Sequence, residues 1–71
     1  MEEKITIHEK ARGETIKVYI QEYDGKRYLH VREWYIDKEQ AEQPTKKGVA
    51  IPLDKVNLLI EAVEKVMKDE G

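Results

Sequence analysis

An Asp24-Gly25 pair lies between two runs of alternating apolar and polar residues, and this feature most constrains the fold. Asp-Gly favours a two-residue hairpin loop because both positions tolerate a positive φ. The loop length sets the register, and the register decides which side chains share a face of the sheet. The predicted register pairs apolar residues on one face, namely Ile20 with Leu29 and Val18 with Val31. We therefore predict an antiparallel hairpin with one apolar face.

The opposite face of the hairpin combines aromatic rings with cationic or imidazole groups, and we call it the aromatic face. Its predicted members are Lys17, Tyr19, Tyr23, Lys26, Tyr28, His30, Arg32 and Trp34. Lys17 lies directly opposite Arg32, and such a like-charge pair costs stability unless an anion is close by.

Two interpretations of the aromatic face stay open from the residues alone. Unpaired bases stack on aromatic rings with about 1–3 kcal/mol each, while cations follow the phosphates, so the face fits single-stranded nucleic acid. Lys46 and Lys47 would add two cations at one rim. In the other interpretation these residues are simply good strand formers on a solvated face, and neighbouring acids neutralise the like-charge pair.

The flanking segments predict two more strands. A two-residue turn at Arg12-Gly13 would place Ile7 opposite Val18 on the apolar face and His8 beside Lys17 on the aromatic face. The polar stretch 37–47, which contains a proline, predicts a loop, and 48–51 predicts a short fourth strand.

From Asp54 onward the apolar residues follow helical spacing, and Asp54 is the predicted N-cap. The apolar stripe consists of Val56, Leu59, Ile60, Val63, Val66 and Met67, and we expect it to cover the apolar face of the sheet. Leu58 and Ala62 lie outside this stripe and are predicted to contribute to a subunit interface.

Length and composition narrow the function classes. The 71 residues are enough for one small domain, which spans residues 1–71. The 13 basic and 15 acidic residues give a net charge of −2, and this argues against a protein that binds nucleic acid or membranes through a generally basic surface. The chain has no Cys, and two histidines alone are a poor set of ligands for a metal ion, so we expect no metal and no cofactor. No nucleophilic side chain lies in a pattern typical of a catalytic triad, so we expect no enzymatic activity. The N-terminus lacks the features of a signal peptide and no apolar stretch predicts a membrane span, so the expected location is cytoplasmic and nucleoid-associated in a prokaryote, or nuclear in a eukaryote.

Two longer motifs resemble one known family. Residues 23–35, Y-D-G-K-R-Y-L-H-V-R-E-W-Y, are similar to the central hairpin of the transcriptional coactivator family known as positive cofactor four. Residues 44–51, P-T-K-K-G-V-A-I, resemble that family's Pro-x-Arg/Lys-Lys-Gly-Ile-x-Leu segment. With the closing helix, the resemblance covers about residues 14–68. The chain departs from the family at Asp24, where Lys is frequent, at Gln21, where a basic residue is common, and in the Trp34-Tyr35 order of its aromatic pair.

The resemblance implies an α+β fold, with a four-stranded antiparallel sheet followed by one C-terminal helix, assembled as a homodimer. It implies sequence-independent binding of single-stranded DNA, with RNA as an open alternative. It also implies a role in transcription or DNA maintenance, with the transcription or repair machinery as a partner. The family's binding residues fall on Tyr23, Lys26, Arg32, Trp34, Tyr35, Lys46 and Lys47. The alternative is a protein-interaction module of the same fold with weak or no nucleic-acid binding.

Overall fold

The computed structural model describes residues 3–70, while Met1, Glu2 and Gly71 lie outside the described residues. Four antiparallel strands form one sheet in the order β1-β2-β3-β4, and a C-terminal helix follows, which confirms the predicted fold class. The elements are β1 (Ile5–Glu9), β2 (Thr15–Tyr23), β3 (Lys26–Ile36), β4 (Glu42–Pro52) and α1 (Val56–Glu70), with 3₁₀ turns at Ala11–Gly13 and Leu53–Lys55.

The β2–β3 hairpin has the predicted register along its whole length. Tyr23 pairs with Lys26 across the turn, and the pairing continues without a bulge to Thr15 and Trp34. Asp24 and Gly25 adopt φ values of 53° and 79°, as the two central positions of a type I′ turn require. The two predicted faces of the hairpin are therefore confirmed.

The predicted register of β1 is wrong. Ala11–Gly13 form a three-residue 3₁₀ turn, closed by the Lys10 N–H donating to the Glu14 carbonyl oxygen at 2.7 Å. The turn has one residue more than predicted, and this alone would exchange the two faces of β1. A bulge between Thr6 and His8 shifts the register by one further residue, so Ile5 again lies on the apolar face. As a result Ile5, rather than Ile7, pairs with Val18.

The same two shifts move the polar residues of β1. Thr6 pairs with Lys17, the position predicted for His8. His8 instead pairs with Ile16 and its side chain is exposed, so it does not lie beside Lys17.

The predicted loop 37–47 is also wrong, because β4 already begins at Glu42. The Asp37 carboxylate accepts hydrogen bonds from the N–H groups of Glu39 and Ala41, both at 2.9 Å, and closes a tight turn. The Ala41 N–H, followed by the Gln43 amide and the Glu39 N–H, lowers the pKa of Asp37 because each favours the carboxylate. Pro44 is compatible with β4 because this strand lies at an edge of the sheet.

The helix begins later than predicted and does not cover the sheet. Asp54 lies inside the 3₁₀ turn Leu53–Lys55, whose cap position is Pro52, so Asp54 is not the N-cap. α1 packs mainly against this 3₁₀ turn. Within the apolar stripe Val56 and Leu59 are half-buried, whereas Val66 and Met67 are 61% and 62% exposed. The expectation that the stripe covers the apolar face within one chain is therefore wrong.

The most buried side chains of the described residues lie on the aromatic face. Tyr19 is 5% exposed and Lys17 is 9% exposed, and no other described residue is fully buried. The apolar residues Ile16, Val18, Ile20, Leu29 and Val31 on the opposite face are only half-buried. The protomer is therefore held together most tightly on the face that was predicted to bind a ligand.

Gly48 provides a test of the close approach between β3 and β4. A Cβ at this position would lie 2.6 Å from the Val31 carbonyl oxygen and 2.7 Å from the Arg32 Cα. Since both are backbone atoms, Gly48→Ala must push the strands apart, and we expect a loss of about 1–3 kcal/mol in the free energy of unfolding. Urea denaturation at fixed protein concentration measures this loss. Lys46→Ala, at an exposed position of the same strand, is the control, and equal stability of the two variants would contradict the prediction.

Candidate nucleic-acid interface

The structure divides the predicted site residues into an exposed and a less accessible group. Tyr23, Lys26, Tyr35, Lys46 and Lys47 are exposed, Tyr28, His30, Arg32 and Trp34 are half-buried, and Lys17 and Tyr19 are buried. The predicted face is therefore not one uniformly open surface.

The interior of the aromatic face is an aromatic cluster centred on Tyr19. The Tyr19 ring stacks on the His30 imidazole with centroids 5.1 Å apart and planes inclined by 5°. The Trp34 ring meets Tyr19 edge-on at a centroid distance of 5.7 Å and an angle of 76°. Such pairs add about 0.5–1.5 kcal/mol beyond their area burial, so the cluster stabilises the β2–β3 pairing.

The like-charge pair of Lys17 and Arg32 is balanced by groups from the two edge strands. Lys17 Nζ donates to Thr6 Oγ1 of β1 at 2.8 Å and forms an ion pair with Glu42 Oε2 of β4 at 3.1 Å. Arg32 Nη1 donates to the Thr45 carbonyl oxygen at 3.0 Å. The neighbouring acid that the solvated-face interpretation requires is therefore Glu42, and Lys17 has a structural role in the protomer.

His30 lies inside this cluster with both ring nitrogens buried and without a hydrogen-bond partner among the described residues. Burial lowers the pKa of His30, and the positive charge of Arg32 lowers it further. Both effects disfavour the imidazolium form, so His30 is neutral at neutral pH and serves as a stacking partner rather than a cation.

The exposed group begins at the tip of the β2–β3 hairpin. Tyr23 is 74% exposed and pairs directly with Lys26, so a free aromatic ring lies beside a free ammonium group. Lys46 and Lys47 lie in β4 at the bulge opposite Arg32 and Trp34 rather than in a loop. These side chains are available to a ligand without any rearrangement of the aromatic cluster.

Tyr35 is 42% exposed but follows Trp34 directly in β3. Successive side chains of a strand point to opposite faces, so Tyr35 does not belong to the aromatic face. The structure thus separates the two members of the Trp34-Tyr35 pair.

Lys4, which precedes β1, was not among the predicted site residues. Lys4 Nζ lies 5.8 Å from the centroid of Tyr19 and 5.8 Å from that of Trp34, so its charge caps both rings. A cavity of about 580 Å³ lies beside it, lined by Lys4, Tyr19, Ile20, Gln21, Glu22, Trp34 and Pro44. Lys4 and Thr6 alternate with the apolar Ile5, and this alternation could have placed both on the aromatic face. The incorrect register of β1 instead paired these residues with the wrong partners in β2.

Glu33 lies on the apolar face of the β2–β3 hairpin, where it pairs with Ile16. Its carboxylate forms an ion pair with Lys10 Nζ at 3.2 Å, which balances its charge.

Two other features, a metal-binding cluster and a membrane-spanning helix, are absent from the described residues 3–70. No cluster of three or more His, Cys, Asp or Glu residues there could hold a metal ion. None of the helices in this range is long and apolar enough to cross a membrane.

The comparisons with known proteins agree on one family. The sequence model of the family "Transcriptional Coactivator p15 (PC4)" matches residues 10–62. A search of curated proteins found no match. The chain belongs to the PC4 family, which confirms the resemblance to positive cofactor four.

Solved structures of similar fold come from a phage and a bacterium. A bacteriophage T5 homolog of the eukaryotic coactivator PC4, described as implicated in recombination-dependent DNA replication, has a TM-score of 0.84 at 25% identity, covering 97% of this chain and 80% of that one. A PC4 homolog from Burkholderia pseudomallei, in its tetragonal crystal form, has a TM-score of 0.76 at 22% identity, covering 94% of this chain and 98% of that one. Both structures match nearly the whole chain, in keeping with a short member of prokaryotic or viral type.

The neutral state of His30 predicts that folding stability depends on pH. The unfolded histidine has a pKa of about 6.5 and binds a proton more readily than folded His30, so stability is complete above this value. As pH falls through 6.5 toward the lower pKa of the folded state, stability is lost. We expect the Tm to decrease between pH 7.5 and 5.5, and His30→Phe, which retains a ring for stacking, to reduce this decrease. His8→Gln is the control, and an identical pH profile of wild type and His30→Phe would contradict the prediction.

Proposed function

We propose that this protein is a non-enzymatic module that binds single-stranded DNA without sequence specificity and acts in transcription or DNA maintenance. Membership of the PC4 family supports DNA binding. The T5 homolog, at 25% identity, is described as implicated in recombination-dependent DNA replication, a process that also involves DNA. The observation that carries the proposal is the exposed Tyr23–Lys26 pair, which joins a free ring to a cation at one point of the surface.

The chemistry of the exposed group favours single strands over duplex. A duplex keeps its base faces stacked, so the Tyr23 ring cannot reach them. An unpaired base can stack on such a ring with about 1–3 kcal/mol, and about 1.4 kcal/mol corresponds to a factor of ten in affinity. Lys26, Lys46 and Lys47 neutralise phosphates in either form, so the difference between the two forms comes from stacking.

A titration of labelled oligo-dT, oligo-dA and duplex at two salt concentrations tests the proposal. We expect the single strands to bind at least tenfold more tightly than the duplex, and binding to weaken with salt because phosphate neutralisation releases counterions. Tyr23→Ala should weaken single-strand binding by roughly tenfold while changing duplex binding little.

Lys26→Ala and Lys65→Ala form a matched pair for the same titration. Lys26 lies at the hairpin tip, whereas Lys65 is an exposed lysine of α1. We expect only Lys26→Ala to lower the salt dependence. Equal affinity of the wild type for single strand and duplex would contradict the proposal, and weak or no binding of either form would favour a protein-interaction module.

We further propose that the protein is a homodimer. Leu58, Val66 and Met67 are all more than 60% exposed, and a shallow apolar groove of about 220 Å³ is lined by Ala62, Val63, Val66 and Met67. The half-buried apolar face of the sheet also has little contact with α1. A domain of this length commonly needs additional buried area for stability, and a second copy provides apolar surface of the same chemistry.

Analytical ultracentrifugation at tens of micromolar tests the dimer. We expect a mass of about twice the 8.4 kDa of one chain, and Val66→Glu should shift the protein toward monomer because it places a charge in the apolar groove. Lys65→Glu, a charge change on the same helix outside the groove, should leave the mass unchanged. A wild-type mass of 8.4 kDa would contradict the prediction.

A further inference from the structure

The cavity beside Lys4 has the lining of a site for a planar ring. Tyr19 and Trp34 provide aromatic surface, Pro44 pairs with Trp34 in the sheet register, and Gln21 provides an amide. Its volume of about 580 Å³ lies within the range of small-molecule sites in proteins. The lining combines this aromatic surface with the polar side chains of Lys4, Gln21 and Glu22, so it favours a ligand with flat apolar faces and a polar edge.

Trp34 supplies a second, independent observation. Its indole Nε1 is buried and has no hydrogen-bond partner among the described residues. A buried donor without a partner is costly. Because this atom is almost inaccessible while Lys4 lies over the ring, a ligand gains affinity when its entry displaces Lys4 and brings an acceptor to the N–H. Indole N–H is a donor only, which selects a ring edge with carbonyl oxygens or ring nitrogens.

Lys4 occupies the position over the rings that such a ligand would take. Its side chain is exposed, and its only contacts described in the structure are those with the Tyr19 and Trp34 rings. An exposed cation–π contact is weaker than the stacking of a base, so a base can displace the ammonium group. The displaced ammonium stays at the mouth of the cavity, where a phosphate attached to the ligand would lie.

We propose that this cavity is a nucleobase subsite, in which an unpaired base takes the place of the Lys4 ammonium and stacks on the Trp34 ring beside Tyr19, while Lys4 pairs with the adjoining phosphate. The inference rests on the proposed single-strand binding and assigns it a second contact point, separate from Tyr23 at the hairpin tip. Lys4 lies outside residues 10–62 matched by the family, so the subsite includes a residue beyond that match.

The first experiment measures the salt dependence of oligo-dT binding by fluorescence anisotropy. A phosphate contact on a single strand contributes about 0.7 to the slope of log affinity against log salt, so Lys4→Ala should lower the slope by about this amount. Lys4→Arg should retain the slope, and Lys68→Ala on the helix should leave it unchanged. If Lys4→Ala leaves the slope unchanged, the proposal is overturned. This holds also if the variant lowers the Tm, because a loss of stability without a change in slope indicates a structural role only.

The second experiment follows the base itself by NMR. The chain has one Trp, so its indole N–H gives a single resonance. We expect this resonance to move when oligo-dT is added to the wild type, and to move much less with an abasic strand that carries only sugar and phosphate. Equal movement with both strands would overturn the nucleobase assignment.

The outcomes separate the subsite from the proposed function. If oligo-dT binds with the expected preference over duplex while the indole resonance stays in place, the subsite is wrong and single-strand binding stands. If oligo-dT does not bind the wild type, both are wrong.

Discussion

The ion pair between Lys17 and Glu42 is the interaction on which the organisation of the aromatic face depends. Lys17 lies on β2 and Glu42 on β4, so the pair passes across β3 and joins three strands on one face. Without this anion, Lys17 would be a buried cation directly opposite Arg32. Removing the partner of a buried charge is destabilising, so the pairing of β2, β3 and β4 is coupled to the charge balance on this face.

This coupling explains why the face has two parts with different roles. Tyr19, His30 and Trp34 are engaged with one another, and they hold the central strands together. Tyr23 and Lys26 extend beyond this cluster at the hairpin tip, where nothing in the described part of the chain covers them. The exposed contacts at the hairpin tip are therefore separated from the aromatic cluster by position along the same two strands.

The helix presents the opposite situation. Its apolar residues have the spacing of an ordinary core helix, yet most of them are exposed because α1 has few contacts with the sheet. An apolar stripe predicts that a surface is buried but does not state which chain buries it. The exposed apolar stripe of α1, which does not complete a core within one chain, therefore supports the proposed dimer.

The sequence by itself determined the β2–β3 hairpin, its register and the membership of its two faces. This was possible because a two-residue Asp24-Gly25 turn leaves no freedom in the pairing of the residues beside it. The family resemblance rested on the same segment together with residues 44–51 and the closing helix.

Only the tertiary structure decided the positions of the edge strands and the helix. The register of β1 depends on one additional loop residue and one bulge, and neither has a strong local signature. Glu42, Thr6 and Lys4 reach the aromatic face from strands or segments that are distant in sequence, so local alternation could not identify them as neighbours of Lys17 and Tyr19. These contacts depend on how the whole sheet is assembled, and local pattern carries little information about such non-local pairing.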